Sequence, residues 1–179
     1  MIDHWAMTTV ASAPLVVVMG VTGSGKSTAG EALGAKLGLR YSDADGFHPQ
    51  ANVDKMHAGH PLTDDDRWPW LDAVGTWLAE YSGTGAIVSC SALRRVYRDR
   101  LRAKVPTAAF WHLAGPQAVV RQRMEARRDH FMPASLLESQ YATLEPLQAD
   151  ERGMTADLDR SMGALVDEFV SWLDQHPAP

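Results

Sequence analysis

Cysteine is almost absent from this 179-residue chain, which contains only Cys90. One cysteine excludes an internal disulfide and a zinc site built from several cysteines, so we expect a reducing compartment, by default the cytoplasm. Long apolar runs are missing too, because no stretch approaches the roughly 20 residues that span a bilayer. The first residues, 1–13, lack the basic start and apolar core of a signal peptide, and we expect a flexible lead-in there.

An excess of positive charge is also lacking, since the net charge is −5. This balance argues against nucleic acid or an anionic membrane as the main partner. The charge is nevertheless uneven: residues 64–66 are acidic, whereas 94–102 and 121–128 are rich in arginine. Arginine-rich runs are typical of a protein that binds anions at one end of its site, although solvated helix faces are the alternative interpretation. With 45% hydrophobic residues, the length suits one domain, over residues 14–179.

The most informative stretch is Gly20 to Ser27, which fits the phosphate-loop pattern G-x-x-x-x-G-K-[ST]. It lies between an apolar run predicted to be a strand, 15–19, and a predicted helix, 27–37, as that pattern requires. Lys26 would contact the β- and γ-phosphates of a nucleotide as a catalytic group, and the Ser27 hydroxyl would bind Mg²⁺. The residues expected to bind nucleotide are Gly20, Val21, Thr22, Gly23, Ser24, Gly25, Lys26, Ser27 and Thr28.

Further strands and helices alternate along the chain. Strands are predicted at 39–42, 86–89, 108–113 and 154–158. The clearest amphipathic helix is capped by Asp64 or Asp65, carries Pro69 in its first turn and ends before Gly83. This alternation predicts an α/β fold of the P-loop kinase type, a single domain with a parallel five-stranded sheet and helices on both faces. Two helices joined by a basic turn, at about 121–139, predict a helical lid.

A phosphate loop alone leaves several nucleotide-binding proteins open. A GTPase is disfavoured because Asp43 to Gly46 spells D-x-x-G but no N-K-x-D motif for guanine is present. A motor or repair ATPase would be longer and carry partner surfaces. Asp43 and Asp45 favour a small-molecule kinase, because alternate residues of an extended segment face opposite ways. One carboxylate can then hold a magnesium-bound water while the other faces the acceptor.

Several motifs closely resemble those of the gluconokinase family. They are Asp45-x-x-His48-Pro49, Asn52-x-x-Lys55-Met56, Gly59-x-Pro61-Leu62-x-Asp64-Asp65-Asp66-Arg67-x-Pro69-Trp70-Leu71, Cys90-Ser91-Ala92-Leu93, Tyr97-Arg98-Asp99 and Arg127-x-x-His130-Phe131. The resemblance runs from about Val16 to Glu151, and it departs at Arg94-Arg95, where the family commonly shows lysines, and at Met132-Pro133. It implies ATP-dependent phosphorylation of D-gluconate at the 6-hydroxyl, giving 6-phospho-D-gluconate, and a homodimer.

The resemblance and the order of the motifs suggest roles on the acceptor side. Asp45 would accept the proton of the attacking hydroxyl, although an Asx turn is the alternative. Asp43 would reach magnesium through water, or merely end its strand. His48 would bind sugar hydroxyls, unless it only stabilises the turn before Pro49.

The acceptor's carboxylate needs a cation. Arg67 is the first choice because a guanidinium fork matches a carboxylate, and Arg95 and Lys55 are the competing anchors. Ser91 follows the third strand and would face the pocket, or cap a helix. On the lid, Arg127 and Arg128 would clamp the polyphosphate and exclude water.

Two other functions remain open at this stage. A kinase of another small anionic acceptor, such as shikimate, shares the loop and the paired carboxylates. A nucleotide-binding module that has lost catalysis is the alternative outside enzymes, although Lys26, Ser27, Asp45 and Arg67 together count against it.

Overall fold

The computed structural model describes residues 13–127 and 134–179. Within them, the strands are β1 Leu15–Met19, β2 Arg40–Asp43, β3 Ala86–Ser89, β4 Ala109–Ala114 and β5 Gly153–Asp157. The helices are α1 Lys26–Leu37, α2 Gln50–His57, α3 Asp64–Glu80, α4 Arg95–Lys104, α5 Gln117–Ala126, α6 Ala134–Thr143 and α7 Met162–Gln175, with a 3-10 helix at Ala44–Phe47. None of the described helices is both long enough and apolar enough to traverse a lipid bilayer.

The five strands form one parallel sheet in the order β2-β3-β1-β4-β5. The predicted α/β fold is therefore confirmed. All five residues of β1 are buried, because this central strand has helices on both faces, as parallel sheets generally do. On one face of the sheet, Val17 packs with residues of α3 and α4. On the other face, Val16 and Val18 pack with residues of α1 and α7.

A buried ion pair fastens the segment before β5 to α4. Arg98 and Glu151 both have fully buried side chains, and Arg98 donates to Glu151 through Nε at 2.7 Å and Nη2 at 2.9 Å. Glu151 also accepts from the Gln148 N–H at 2.9 Å and lies 2.9 Å from Arg102 Nη2. These partners hold the chain between α6 and β5 against α4.

Two details of α3 differ from the sequence prediction. The cap is Thr63, not Asp64 or Asp65: the Thr63 hydroxyl accepts from the Asp66 N–H, and the Asp66 carboxylate accepts from the Thr63 N–H. This reciprocal capping box begins the helix at Asp64. Pro69 consequently lies inside the helix, as its sixth residue, rather than in its first turn.

The predicted lid coincides with the end of α5 and the start of α6. Residues 128–133 between these helices, with Arg128, lie outside the described part of the chain, so lid closure stays a prediction. The expected N-terminal lead-in, 1–13, lies outside it as well, except for Ala13.

Candidate active site

The phosphate loop joins β1 to α1 and contains glycines at positions where a residue with a side chain would be strained. Gly23 has φ +80°, and a Cβ added there would lie 2.6 Å from Met124 Cγ of α5. Gly25 ends the loop in the left-handed region, and α1 then begins at Lys26. The unpaired N–H groups of the first turn of α1 therefore face the end of the loop, which makes an anion site.

Lys26 lies across this loop, where its ammonium donates to the Val21 carbonyl at 3.2 Å. Burial lowers the pKa of Lys26, and the nearby carboxylate of Asp45 opposes that shift. A cation held by one carbonyl keeps two donors for phosphate oxygens.

Ser27 and Asp43 bring two oxygens together beside the loop. The Ser27 hydroxyl donates to Asp43 Oδ2 at 3.1 Å, while Asp43 Oδ1 accepts from the Asp45 N–H at 2.9 Å. Hard oxygen donors that leave room for phosphate and water fit Mg²⁺. The described residues contain no group of three or more His, Cys, Asp or Glu side chains that could hold a metal on their own.

The Asp43–Asp45 contact also assigns the turn that the sequence left open. Asp43 caps the 3-10 helix, so the Asx turn considered for Asp45 is made by Asp43. Among the described residues, the Asp45 carboxylate makes no hydrogen bond. Partial desolvation and Asp43 raise its pKa, against the opposing effect of Lys26 and His48. An unpaired carboxylate with a raised pKa is suited to accept a proton.

His48 lies beside Asp45 on a rigid aromatic support. Its ring stacks on Trp70 with centroids 4.3 Å apart and planes 13° apart, and Trp70 Nε1 donates to the Ala44 carbonyl at 2.7 Å. Asn52 Nδ2 lies 3.3 Å from His48 Nδ1. Desolvation lowers the pKa of His48, so the imidazole is neutral near pH 7 and can both donate to and accept from hydroxyl groups.

A cavity of about 440 Å³ lies between the starts of α3 and α4 and the end of α6, and is lined by Asp64, Arg67, Arg94, Tyr97 and residues 142–145. Arg67 Nη1 donates to the Tyr97 hydroxyl at 2.9 Å, and that hydroxyl donates to Asp64 Oδ1 at 2.6 Å. Arg94 Nη1 donates to the other Asp64 oxygen at 2.7 Å. The two guanidinium groups share Asp64, and Arg94 Nε also lies 3.8 Å from Glu145 Oε1; both guanidinium groups still have N–H donors left for an anion.

The two competing anchors are engaged elsewhere. Arg95 donates to both Asp150 oxygens, at 2.8 and 3.0 Å, and to Asp99 at 3.0 Å. Lys55 Nζ lies 2.5 Å from Asp66 Oδ2. Neither side chain lines the cavity, whereas Arg67 does; the choice of Arg67 as the anchor stays a prediction.

Known proteins resemble the chain over most of its length, although no family model matches it. It is 42% identical to the gluconokinase of Gluconobacter oxydans (strain 621H) over 157 residues, which cover 87% of this chain and 88% of that one. Identity to the thermosensitive gluconokinase of Escherichia coli (strain K12) is 45% over 158 residues, covering 85% and 83%. The crystal structure of a gluconokinase from Sinorhizobium meliloti 1021 matches with a TM-score of 0.83 and 45% identity, covering 90% of this chain and 92% of that one. The chain belongs to the gluconokinase family.

The remaining residues that the resemblance to the gluconokinase family suggested lie around this site. Ser91 follows β3, and its carbonyl accepts from the Gly20 N–H at 3.3 Å. Ser91 does not cap α4, because Arg94 occupies that position. Arg127 is exposed at the end of α5, and Arg128 lies outside the described residues.

Sequence reasoning missed four side chains that this member of the gluconokinase family places at the site. Arg94, Tyr97 and Asp64 line the cavity, and Gln140 contacts the phosphate loop. The arginine pair was visible in the sequence, but choosing Arg94 required knowing that α4 begins at Arg95. No sequence pattern links Gln140 to a loop 118 residues away.

Proposed function

We propose that this member of the gluconokinase family uses ATP to phosphorylate the 6-hydroxyl of D-gluconate, giving 6-phospho-D-gluconate. The observation that carries the proposal is the order of charges along the site. Asp45 lies close enough to interact electrostatically with Lys26 and His48, and His48 with Arg67. Arg67 and Arg94, which line the cavity, are the last charged groups in this order. D-gluconate is a chain with a primary hydroxyl at one end and a carboxylate at the other, which matches this order.

The chemistry follows from the same arrangement. The acceptor 6-oxygen forms a bond to the γ-phosphorus as the bond to the β,γ-bridging oxygen breaks, and ADP leaves. Asp45 aligns the hydroxyl and takes its proton, while Lys26 offsets the charge on the phosphate oxygens. Because the transition state is loose, positioning and charge neutralisation carry most of the catalysis.

Two further groups complete the proposal. Ser27, directly, and Asp43, through water, would hold Mg²⁺, which supplies charge neutralisation on the polyphosphate when bound. Arg127 would contact the polyphosphate from the lid side, where its exposed position leaves the guanidinium available.

The cellular state is proposed on the family resemblance and the composition. We infer a homodimer acting on a small molecule in the cytoplasm, with neither nucleic acid nor membrane as a partner. Sedimentation equilibrium tests the dimer, since a mass near 19.6 kDa at micromolar concentration would contradict it.

An ADP-release assay with a panel of acceptors tests the reaction. D-glucitol is the matched control, because it keeps the hydroxyls of gluconate but has no carboxylate. We expect turnover with gluconate and a kcat/KM lower by about ten- to hundredfold with glucitol, the size of a lost charged hydrogen bond. Faster turnover with shikimate or a nucleoside monophosphate would reassign the acceptor, and ADP release that ignores the acceptor would favour the non-catalytic module.

A further inference from the structure

Gln140 on α6 holds the phosphate loop by both ends of its side-chain amide. Gln140 Oε1 accepts from the Thr22 N–H at 2.6 Å, and Gln140 Nε2 donates to the Thr22 hydroxyl at 2.8 Å. One side chain thus satisfies a backbone donor and a side-chain acceptor of the same loop residue. None of the roles proposed above for the reaction uses this contact.

The contact changes the role expected for Thr22. Its N–H was expected to face phosphate with the other loop N–H groups, but here the Gln140 carbonyl already accepts it. A nucleotide phosphate could take this donor only by displacing Gln140. Thr22 therefore serves as an attachment point for the loop.

The helix that carries Gln140 is itself firmly fixed. Leu137, one turn earlier, is 1% exposed and belongs to the core between the sheet and α1. Tyr141, the next residue, donates its hydroxyl hydrogen to the Gly115 carbonyl at 2.9 Å, just beyond β4. Because α6 is anchored on both sides of Gln140, the amide imposes its position on the loop.

A second support acts on the next loop residue. The space in front of Gly23 is filled by Met124 and Val120 of α5. Thr22 is thus held by a hydrogen-bonding fork from α6, and Gly23 by apolar packing from α5. The loop is braced by the two helices that flank residues 128–133.

We propose that Gln140 is a positioning residue for phosphoryl transfer. It holds Thr22 so that the remaining loop N–H groups already converge on the polyphosphate before nucleotide binds, which lowers the ordering required on binding. This inference rests on the proposed use of ATP, but it concerns nucleotide affinity and can be tested without an acceptor.

The primary test is Gln140→Met, which keeps the length of the side chain and removes both hydrogen bonds. We expect the Kd for ATP, measured by titration calorimetry without acceptor, to rise about three- to thirtyfold, because the loop is no longer held in its binding arrangement and must be ordered when ATP binds. The gluconate KM should stay within about twofold of the parent. Ser139→Ala, an exposed neighbour on the same helix, is the matched control and should leave the Kd unchanged.

Variants of Thr22 test the same contact from the loop side. Thr22→Val removes the hydroxyl partner but keeps the N–H, so it should weaken ATP binding less than Gln140→Met, and Thr22→Ser should recover the affinity that valine loses. The double variant Thr22→Val/Gln140→Met should bind ATP no worse than Gln140→Met alone, since residues in contact are not additive. These loop variants also serve as the test if Gln140→Met fails to fold.

The outcomes separate the alternatives. An unchanged ATP Kd in Gln140→Met together with a lower Tm would make Gln140 a purely structural residue and overturn the proposal. Additive losses in the double variant would overturn it as well. A parent that binds ATP but does not phosphorylate gluconate would refute the proposed function, while a weakened Kd in Gln140→Met would still support the positioning role.

Discussion

At the scale of single residues, the cavity is notable for its charge balance. Arg67 and Arg94 contribute two positive charges, and Asp64, which pairs with both, contributes one negative charge. Glu145 also lines the cavity and lies 3.8 Å from Arg94 Nε, so the two carboxylates balance the two guanidinium groups, and the N–H donors that these carboxylates leave free are what a monocarboxylate would meet. Arg67 is the member nearer to His48, since it perturbs the pKa of that imidazole.

Arg67→Met should weaken gluconate binding far more than ATP binding. The variant keeps much of the apolar part of the side chain but removes the guanidinium group. We therefore expect the gluconate KM to rise about ten- to hundredfold, while the ATP KM stays near that of the parent. Arg100→Met is the control, because Arg100 lies on α4 but pairs with Asp72. If the gluconate KM of Arg67→Met stays within about threefold, Arg94→Met becomes the next variant to measure.

Asp45→Asn should lower kcat by about two to four orders of magnitude, the usual effect of a lost general base. The substitution is nearly isosteric, and Asp43 supplies the cap of the 3-10 helix, so the local fold should persist. Single-turnover phosphorylation at saturating ATP and gluconate measures the effect. A rate within tenfold of the parent would remove Asp45 from the mechanism.

The pH profile gives a second measurement of Asp45. Because its pKa is raised above 3.8, the carboxylate becomes protonated, and kcat falls, at a higher pH than for an ordinary aspartate. The ionised form is the active one, so the loss occurs as pH decreases. His48→Asn distinguishes the two neighbours: the acidic limb should persist in that variant, and its disappearance would assign the limb to His48.

The same residues show where sequence reasoning succeeds and fails. Lys26, Ser27, Asp43 and Asp45 could be located because a loop motif and a strand end determine their positions almost locally. The choice between Arg94 and Arg95 could not be made from the sequence. These adjacent residues point in different directions at the start of α4, so that Arg94 lines the cavity whereas Arg95 reaches Asp150. The direction in which each arginine points depends on how α4 packs against its neighbours.

At the scale of elements, the start of α3 joins stability to substrate binding. The capping box of Thr63 and Asp66 fixes the first turn of this helix, and Arg67 is its fourth residue. Lys55 adds a hydrogen bond from α2 to Asp66. The hydrogen bonds from Lys55 and from the Thr63 N–H lower the pKa of Asp66 to about 2, so the Asp66 carboxylate of the capping box remains ionised at physiological pH.

Thr63→Ala should therefore lower stability and substrate affinity together. Losing the cap costs about 1 kcal/mol, which corresponds to a fall in Tm of about 2 to 4 °C for a chain of this size. The gluconate KM should rise because the helix start that aims Arg67 becomes less ordered. Thr63→Ser retains the hydroxyl and should behave as the parent, and an unchanged Tm in Thr63→Ala would show that the box is dispensable.

Strands were easier to predict than the starts of helices. The runs 15–19 and 86–89 matched β1 and β3 because buried parallel strands appear as short apolar runs bounded by turns. The 3-10 helix Ala44–Phe47 was not predicted, since a four-residue turn has no period to detect. The cap of α3 was misassigned because three aspartates after Thr63 offered equally good capping side chains.

At the scale of the whole molecule, the Arg98–Glu151 pair links distant parts of the chain. Glu151→Gln would leave the Arg98 guanidinium buried with reduced compensation, at a cost of about 3 to 5 kcal/mol. We expect a fall in Tm of about 6 to 20 °C by differential scanning calorimetry. Asp150→Asn, which changes an exposed neighbouring carboxylate, should have a much smaller effect; equal effects would contradict a special role for the buried pair.

The same pair predicts how acid affects the fold. Although desolvation opposes ionisation, Arg98 and the Gln148 N–H lower the pKa of Glu151 from 4.5 to about 2. Its contribution to stability is therefore complete above pH 4.5 and is lost as pH falls toward 2. Glu151→Gln should lack this part of the acid sensitivity, so unfolding free energies of parent and variant should converge on acidification.

The order of strands was the main feature of the whole fold that the sequence left open. Alternating strands and helices predict a parallel sheet, but several strand orders satisfy that pattern. The observed order places β3 between β1 and β2, which depends on packing between segments far apart in the chain.

The central position of β1 determines when the protein can fold during its synthesis. β1 lies between β3 and β4 in the sheet and pairs with their residues 86–89 and 109–112. Among the strands of residues 13–127 and 134–179, neither of the first two has a neighbour until β3 has been made, a delay on the order of several seconds at the usual pace of translation. During that interval Leu15 to Met19, an apolar run of high β-propensity, has no strand to cover it. The chain therefore completes its sheet late, through contacts distant in sequence, and its newest copies are the ones most exposed to aggregation.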